Sequence, residues 1–182
     1  MNEECYRAIK KKYGHWGSWA LWDPADPYDP AIIERNIRRL GTAYVFAGLN
    51  VSRDLTGLPP WKNFHLRHRG SRERRLSCVL SGSVYEGSYM TDIIKDYPEA
   101  NSGEVLAWIR KNPKKLEENI KIFLAELAFL EKKLKKIFVF GRAAAGIFKH
   151  TPALAVLPWQ YITQFAAWGR TFEDTIHTQL GL

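Results

Sequence analysis

Three short motifs in this sequence place polar side chains beside glycines, directly after apolar runs. They are Gly-Leu-Asn at 48–50, Ser-Tyr-Met-Thr-Asp at 88–92 and Gly-Arg at 141–142. The amide of Asn50 can hold a water molecule, and the carboxylate of Asp92 can accept hydrogen bonds from the edge of a ligand. Each motif alone is more typical of a plain turn than of a functional site, so their significance depends on whether the fold brings them together.

The apolar runs before these motifs predict β-strands. Thr42–Asn50 is rich in β-branched and aromatic residues, Ser88–Ile94 has a similar composition, and Ile137–Phe140 ends at a glycine. A weaker strand is predicted at Leu76–Leu80 and a final one at Leu154–Leu157.

Helices are predicted between these strands from helical spacing of apolar residues and from end signals such as Asp29-Pro30 and Asn112-Pro113. Their predicted ranges are 2–13, 30–40, 102–111, a long helix from 113, a short one directly after Gly141, and 171–180. Alternating strands and helices indicate βαβ units, and hence a three-layer α/β/α sandwich with a short, mainly parallel central sheet. Since ligands bind such sheets beyond the carboxyl ends of the strands, the three motifs are expected to meet there.

Composition narrows the class of protein. The chain has 182 residues with 46% hydrophobic and 25% charged, which favours one globular domain over 1–182. The charged N-terminus and the lack of a long apolar run favour a cytoplasmic protein without a membrane partner, and we expect a monomer. Cys5 and Cys78 stand far apart without metal-ligand spacing, so we expect no metal and no cofactor. The net charge of +8 favours a polyanionic partner, with nucleic acid as the first candidate.

The ordered motifs resemble one known family. Gly-Leu-Asn at 48–50, Trp-Lys-Asn-Phe-His at 61–65, the segment Gly87–Lys95 and the pair Phe140-Gly141 follow the order of the uracil-DNA glycosylase superfamily. The sequence is most similar to a glycosylase-like branch that also carries a tryptophan-rich segment comparable to 16–20. The resemblance implies a DNA enzyme that hydrolyses the N-glycosidic bond of a damaged or deaminated base without a metal.

The resemblance also implies roles for individual residues. Asn50 would position the attacking water. Gly48 and Leu49, which precede it at the end of the same strand, would contribute to binding the base. Phe64 would stack on the extruded base, and Asp92 would read the edge of the base. This division of labour is physically sensible, because a base must leave the helical stack before an enzyme can reach its glycosidic bond.

Asp92 stands where many members have asparagine. An ionised carboxylate only accepts hydrogen bonds, so it would pair with N3–H of uracil but repel O4. Either burial raises the pKa of Asp92 so that it acts in its protonated form, or the preferred base presents donors, as guanine-like and hypoxanthine-like edges do.

The last motif of the superfamily also differs. Other members have a histidine there that stabilises the departing base, whereas this chain has Gln160 within Pro158–Thr163. Gln160 can donate a hydrogen bond but carries no positive charge. We therefore expect either that another group, such as His65, replaces the histidine, or that catalysis is slow or absent.

A basic segment follows Phe64 in the sequence. We expect its arginines to contact the DNA backbone, unless the segment is only a solvated loop. These arginines are Arg67, Arg69, Arg72, Arg74 and Arg75. Trp16, Trp19 and Trp22 are interpreted as packing residues. Two other functions stay open: a non-catalytic nucleic-acid-binding member of the superfamily, and an enzyme that acts on a free nucleotide or nucleoside.

Overall fold

A central five-stranded sheet organises the part of the chain that the computed structural model describes, residues 1–67, 72–130, 134–165 and 172–182. Its strands are β1 (Ser18–Trp19), β2 (Gly41–Asn50), β3 (Ser88–Ile94), β4 (Lys136–Phe140) and β5 (Trp159–Ile162). The spatial order is β1-β3-β2-β4-β5, with β1 antiparallel to β3 and the other pairs parallel. The carboxyl ends of β2, β3, β4 and β5 therefore share one edge of the sheet.

Helices surround this sheet. The α-helices are α1 (Glu3–Tyr13), α2 (Ala31–Arg35), α3 (Glu73–Leu80), α4 (Ser102–Lys111), α5 (Pro113–Leu130), α6 (Gly141–His150), α7 (Pro152–Ala155) and α8 (Phe172–Leu180). A short 3₁₀ helix covers Ile37–Arg39. In the described part of the chain, no helix has the length and apolar character needed to cross a membrane.

Two apolar cores lie on opposite faces of the sheet. Side chains alternate between faces along a strand, so Val45, Ala47 and Leu49 of β2 enter one core and Phe46 enters the other. Buried residues of α1, α4, α5 and α6 belong to the first core, and those of α3 and α8 belong to the second. The predicted α/β/α sandwich with a mainly parallel sheet is confirmed.

Two strand predictions are wrong. Residues 76–80 belong to helix α3, where Leu76, Val79 and Leu80 face the core at helical spacing. Residues 154–157 follow Pro152, which begins the short helix α7, and the last strand forms only at 159–162. The helix predicted at 30–40 is divided at Asn36, whose side-chain amide donates to the carbonyl of Ile32 at 2.9 Å.

Candidate functional site

A cavity of about 370 Å³ opens at the carboxyl edge of β2 and β3. Its volume lies in the range of pockets that bind small molecules, about 300–1,000 Å³. The residues that line it include Gly48, Leu49, Asn50, Phe64 and Asp92. The structure thus brings together five predicted site residues from three separate segments of the chain. We call this cavity the base pocket, after the base that the resemblance leads us to expect there.

The Asp92 carboxyl group lies directly over Gly48, its partner in the neighbouring strand. A Cβ atom at position 48 would lie 2.0 Å from Oδ1 of Asp92, so only glycine leaves room for this carboxyl group. Oδ2 accepts a hydrogen bond from Nδ2 of Asn63 at 2.9 Å. Oδ1 has no hydrogen-bond donor among the described residues, and is therefore the atom available to a ligand.

Burial controls the charge of Asp92. The residue is only 4% exposed, and loss of solvent raises its pKa from 3.8 to about 6, although the Asn63 hydrogen bond and the nearby Lys95 act in the opposite direction. Asp92 consequently changes between a donor-acceptor group and an acceptor-only group close to physiological pH.

A buried ion pair supports β3 from the opposite core. Lys95 Nζ lies 2.6 Å from Glu126 Oε2 on α5, and both side chains are fully buried. The same carboxylate accepts hydrogen bonds from the hydroxyls of Tyr89 at 2.6 Å and Thr91 at 3.0 Å. These contacts tie the strand that carries Asp92 to α5, because breaking them would leave a charge buried without a partner.

Asn50 is held by its amide nitrogen. Nδ2 donates to the carbonyls of Glu99 at 2.7 Å, Val51 at 2.9 Å and Tyr97 at 3.2 Å, which fixes the orientation of the amide. Its Oδ1 has no protein donor among the described residues, and the half-buried residue lines the base pocket. An oriented carbonyl oxygen of this kind can accept a hydrogen bond from a water molecule and direct the lone pairs of that water into the pocket. The same contacts also join two loops, so Asn50 has a structural role as well.

Phe64 provides an aromatic wall in a backbone conformation that is unusual for a non-glycine residue. Phe64 has a φ of 63° and Trp61 a φ of 67°, both in the left-handed region. The loop is held by Trp61 N–H, which donates to Gly14 O at 2.6 Å, and by Trp22 Nε1, which donates to Phe64 O at 3.2 Å. The Phe64 ring lies 6.2 Å from that of Phe165, another lining residue.

His65 does not line the base pocket. The residue is fully buried, with Ser18 Oγ 3.0 Å from Nδ1 and Leu21 O 3.1 Å from Nε2, and its ring stacks on Trp22 at 5.7 Å. Burial lowers the pKa of His65, so the imidazole is neutral at pH 7. Its contacts are those of a residue that holds the tryptophan-rich segment in place.

Gln160 also lies outside the base pocket. It pairs with Phe138 within the sheet, and its Nε2 donates to Gln179 O at 2.7 Å. The glutamine that lines the pocket is Gln164, which follows β5 and packs over Gly141. Its Oε1 is buried and has no donor among the described residues. Placing the last strand at 159–162 would have identified Gln164 by the carboxyl-end rule that identified Asn50.

The predicted arginines are in different environments. Arg67 donates to Asp26 at 2.9 Å, and Arg75 pairs with Glu173 at 2.9 Å. Arg74 is exposed on α3, and Arg72 lines the base pocket. Arg69 lies outside the described residues. Arg53, which belongs to none of the motifs, is an exposed lining residue that has no hydrogen-bond or ion-pair partner in the described part of the chain.

The tryptophan-rich segment is only partly buried. Trp19 and Trp22 belong to the apolar cores, whereas Trp16 is half-buried. The described residues contain no group of three or more histidine, cysteine, aspartate or glutamate side chains suited to a metal ion.

The chain matches no protein-family model and no curated protein. The resemblance to the glycosylase superfamily therefore depends on the ordered motifs, together with the convergence of Asn50, Phe64 and Asp92.

Proposed function

We propose that this protein is a DNA glycosylase that hydrolyses the N-glycosidic bond of a damaged or deaminated base. The observation that carries the proposal is the base pocket, in which an oriented amide, an aromatic ring and a buried carboxyl group converge from Asn50, Phe64 and Asp92. An extruded base needs an aromatic face, a polar partner for its edge and a water molecule near its sugar.

Each side chain then has a distinct task. The base would lie against Phe64 with its edge at Oδ1 of Asp92, while Oδ1 of Asn50 accepts a hydrogen bond from the attacking water. Departure of the base leaves an oxocarbenium-like sugar, so a well-placed water is sufficient and no strong nucleophile is needed. Hydrogen-bond donors from the protein to the carbonyl oxygens of the base would stabilise the negative charge that develops on the base as the bond breaks.

The charge of Asp92 decides which base is preferred. Below a pH of about 6 its protonated carboxyl group both donates and accepts, and so complements O4 and N3–H of uracil. Above that pH the carboxylate accepts only, which favours N1–H of hypoxanthine, with a carbonyl on one side only, over N3–H of uracil, which lies between two carbonyls. The ionised form also opposes negative charge on the departing base, so hydrolysis is expected to be faster in mildly acidic solution.

One observation favours the second candidate, a nucleic-acid-binding protein without catalysis. Neither His65 nor Gln160 lines the base pocket, and its described lining residues include no histidine. A catalytic protein would therefore rely on Arg53, Arg72 or the amide of Gln164 to stabilise the departing base.

The deciding experiment measures base release. Oligonucleotides that carry uracil, hypoxanthine, xanthine or a mismatch, and the matching free deoxynucleosides, are incubated with protein between pH 5 and pH 8. Abasic sites or free bases are then scored. We expect abasic product with wild type and a loss of at least a hundred-fold with Asn50→Ala, in line with the loss of an oriented catalytic group.

Asn112→Ala is the matched control, because its amide also donates to a backbone carbonyl, that of Trp108 at 2.9 Å, and the residue does not line the base pocket. Release from free deoxynucleosides alone would indicate the nucleoside enzyme. No release from any substrate, with wild type and Asn50→Ala indistinguishable, would refute glycosylase activity.

A further inference from the structure

A second cavity lies beside the base pocket. It has a volume of about 360 Å³, nearly the same as the base pocket, and it is lined by the segment that follows β2 and by His15, Trp16 and Lys95. Arg53 lines both cavities, so the two are neighbours on one surface. We call this second cavity the outer cleft.

The outer cleft has an aromatic wall. The rings of His15 and Trp16 lie 4.0 Å apart at an angle of 46°. Burial, followed by the nearby Lys95, lowers the pKa of His15, while Glu126 acts in the opposite direction. The imidazole is consequently a neutral ring at pH 7. The half-buried indole of Trp16 beside the exposed, neutral imidazole of His15 is a surface on which a nucleobase can stack.

Charged residues of both signs line both cavities, and Arg53 belongs to both linings. Arg53 is exposed between them without a described partner. The carboxylates that line the outer cleft are engaged elsewhere: Asp54 accepts from Thr56 N–H at 2.9 Å, and Asp96 accepts from Asn119 at 2.6 Å. Their negative charge disfavours a phosphate inside the outer cleft. A phosphate is instead favoured at Arg53, with an uncharged base in the cleft.

A single amide connects the two cavities. Nδ2 of Asn63 donates to Asp92 Oδ2 at 2.9 Å in the base pocket and to the backbone carbonyl of Trp16 at 2.7 Å in the outer cleft. The aromatic wall of one cavity is therefore held in register with the carboxyl group of the other.

We propose that the outer cleft binds the base adjacent to the one in the base pocket, with the phosphate between the two nucleotides at Arg53. The ligand class is a single-stranded nucleic acid segment with two neighbouring bases unstacked. A paired duplex keeps the neighbouring base in its stack, so duplex DNA cannot fill both cavities. This proposal rests on the proposed function for the identity of the first base, and it adds strand form and neighbour recognition.

The test is a binding experiment that involves no base release. The probe is a labelled single-stranded pentanucleotide of thymidines with one central 2′-fluorinated hypoxanthine nucleotide, whose fluorine disfavours the oxocarbenium-like state and so prevents cleavage. Comparison probes replace the 5′ or the 3′ neighbour by an abasic analogue, or pair the strand into a duplex. Affinities are measured by fluorescence anisotropy at several salt concentrations.

We expect one of the two neighbour replacements to weaken binding by about ten-fold, the usual effect of one base–aromatic stack. Trp16→Ala should abolish this difference and Trp16→Phe should keep most of it. Trp159→Ala is the matched control, since this indole lies outside both cavities. Arg53→Gln should lower the salt dependence of binding by about one phosphate contact, whereas the exposed Arg110→Gln should leave it unchanged.

Equal affinity for all single-stranded probes, equal or tighter binding of the duplex, or no binding of any probe would overturn the proposal. The two hypotheses fail separately. Neighbour-dependent binding by a protein that releases no base supports the outer cleft and refutes the glycosylase. Base release together with an affinity that does not change in Trp16→Ala supports the glycosylase and refutes binding of a neighbouring base in the outer cleft.

Discussion

Replacing Asp92 by asparagine is expected to make the protein more stable at neutral pH, although the substitution is in the base pocket. Burial raises the pKa of Asp92 from 3.8 to about 6. Each pKa unit corresponds to about 1.4 kcal/mol, so ionising this carboxyl group costs about 3 kcal/mol more in the folded protein than in the unfolded chain. Asparagine keeps the shape of the side chain and never ionises.

The direction of the pH dependence follows from the raised pKa. Between pH 3.8 and about 6 the folded protein holds a proton at Asp92 that the unfolded chain has lost, so the wild type loses stability as the pH rises through this window. The contribution of the protonated carboxyl group is fully present below 3.8 and is lost above about 6. The asparagine variant stays neutral at every pH, so it does not lose stability in this window.

Urea unfolding followed by tryptophan fluorescence from pH 3.5 to pH 8 measures the effect. The free energy of unfolding of Asp92→Asn minus that of wild type should rise by about 3 kcal/mol across the window and then remain constant. Asp174→Asn is the control, because Asp174 is exposed on α8. A difference for Asp92→Asn that does not change with pH would refute the buried-carboxyl argument.

The same ionisation should appear in base release. The rate at which wild type releases uracil is expected to fall as the pH rises above about 6, because the carboxyl group of Asp92 loses the hydrogen that it would donate to O4 of the base. Asp92→Asn should release uracil with little pH dependence in this range, and Asp92→Ala should release little at any pH. Equal pH profiles for wild type and Asp92→Asn would separate Asp92 from recognition of the base.

Three further substitutions probe the packing around the site. Gly48→Ala places a Cβ 2.0 Å from Asp92 Oδ1 and should abolish ligand binding measured by anisotropy. Its control is Gly146→Ala, which has open space around the added Cβ and should leave binding unchanged. This control should also stabilise α6 by up to about 1 kcal/mol. Lys95→Met leaves Glu126 buried without its cation and should lower the free energy of unfolding by about 3–5 kcal/mol in urea titrations. The added substitution Glu126→Gln should reverse part of this loss, because its neutral amide keeps an oxygen that accepts from Tyr89 and Thr91. Gln164→Leu removes a buried acceptor that has no donor among the described residues, so thermal unfolding should shift upward slightly while the affinity for base-containing probes falls.

The carboxyl ends of the strands were the most predictable part of the site. Parallel strands end at a common edge, so once Thr42–Asn50 and Ser88–Ile94 were identified as strands, Asn50 and Asp92 had to lie close together. Phe64 was predicted from a motif, and its left-handed backbone could not be foreseen from a residue type that rarely adopts it.

Short apolar runs caused the errors. A run of four or five apolar residues has no periodicity that separates a buried strand from a helical turn, so α3 and α7 were both predicted as strands. The second error placed the last strand at Leu154–Leu157 instead of Trp159–Ile162, so Gln164 was not recognised as a residue beyond the carboxyl end of a strand. The burial of His65 was also not predictable, because it depends on Ser18 and Leu21, which are distant in the sequence.

The two hydrogens of the Asn63 amide have a thermodynamic consequence. One is donated to the carboxyl group of Asp92 and the other to the backbone carbonyl of Trp16, so the two cavities share a single donor group. Linkage between sites is reciprocal. Suppose that an occupant of the outer cleft shifts the Trp16 carbonyl and thereby strengthens the hydrogen bond from Asn63 to Asp92. The pKa of the Asp92 carboxyl group then falls. By reciprocity, ionisation of Asp92 must strengthen binding of the same occupant by an equal free energy. Neighbouring sequence and solution pH would then act on base choice through one side chain, Asn63.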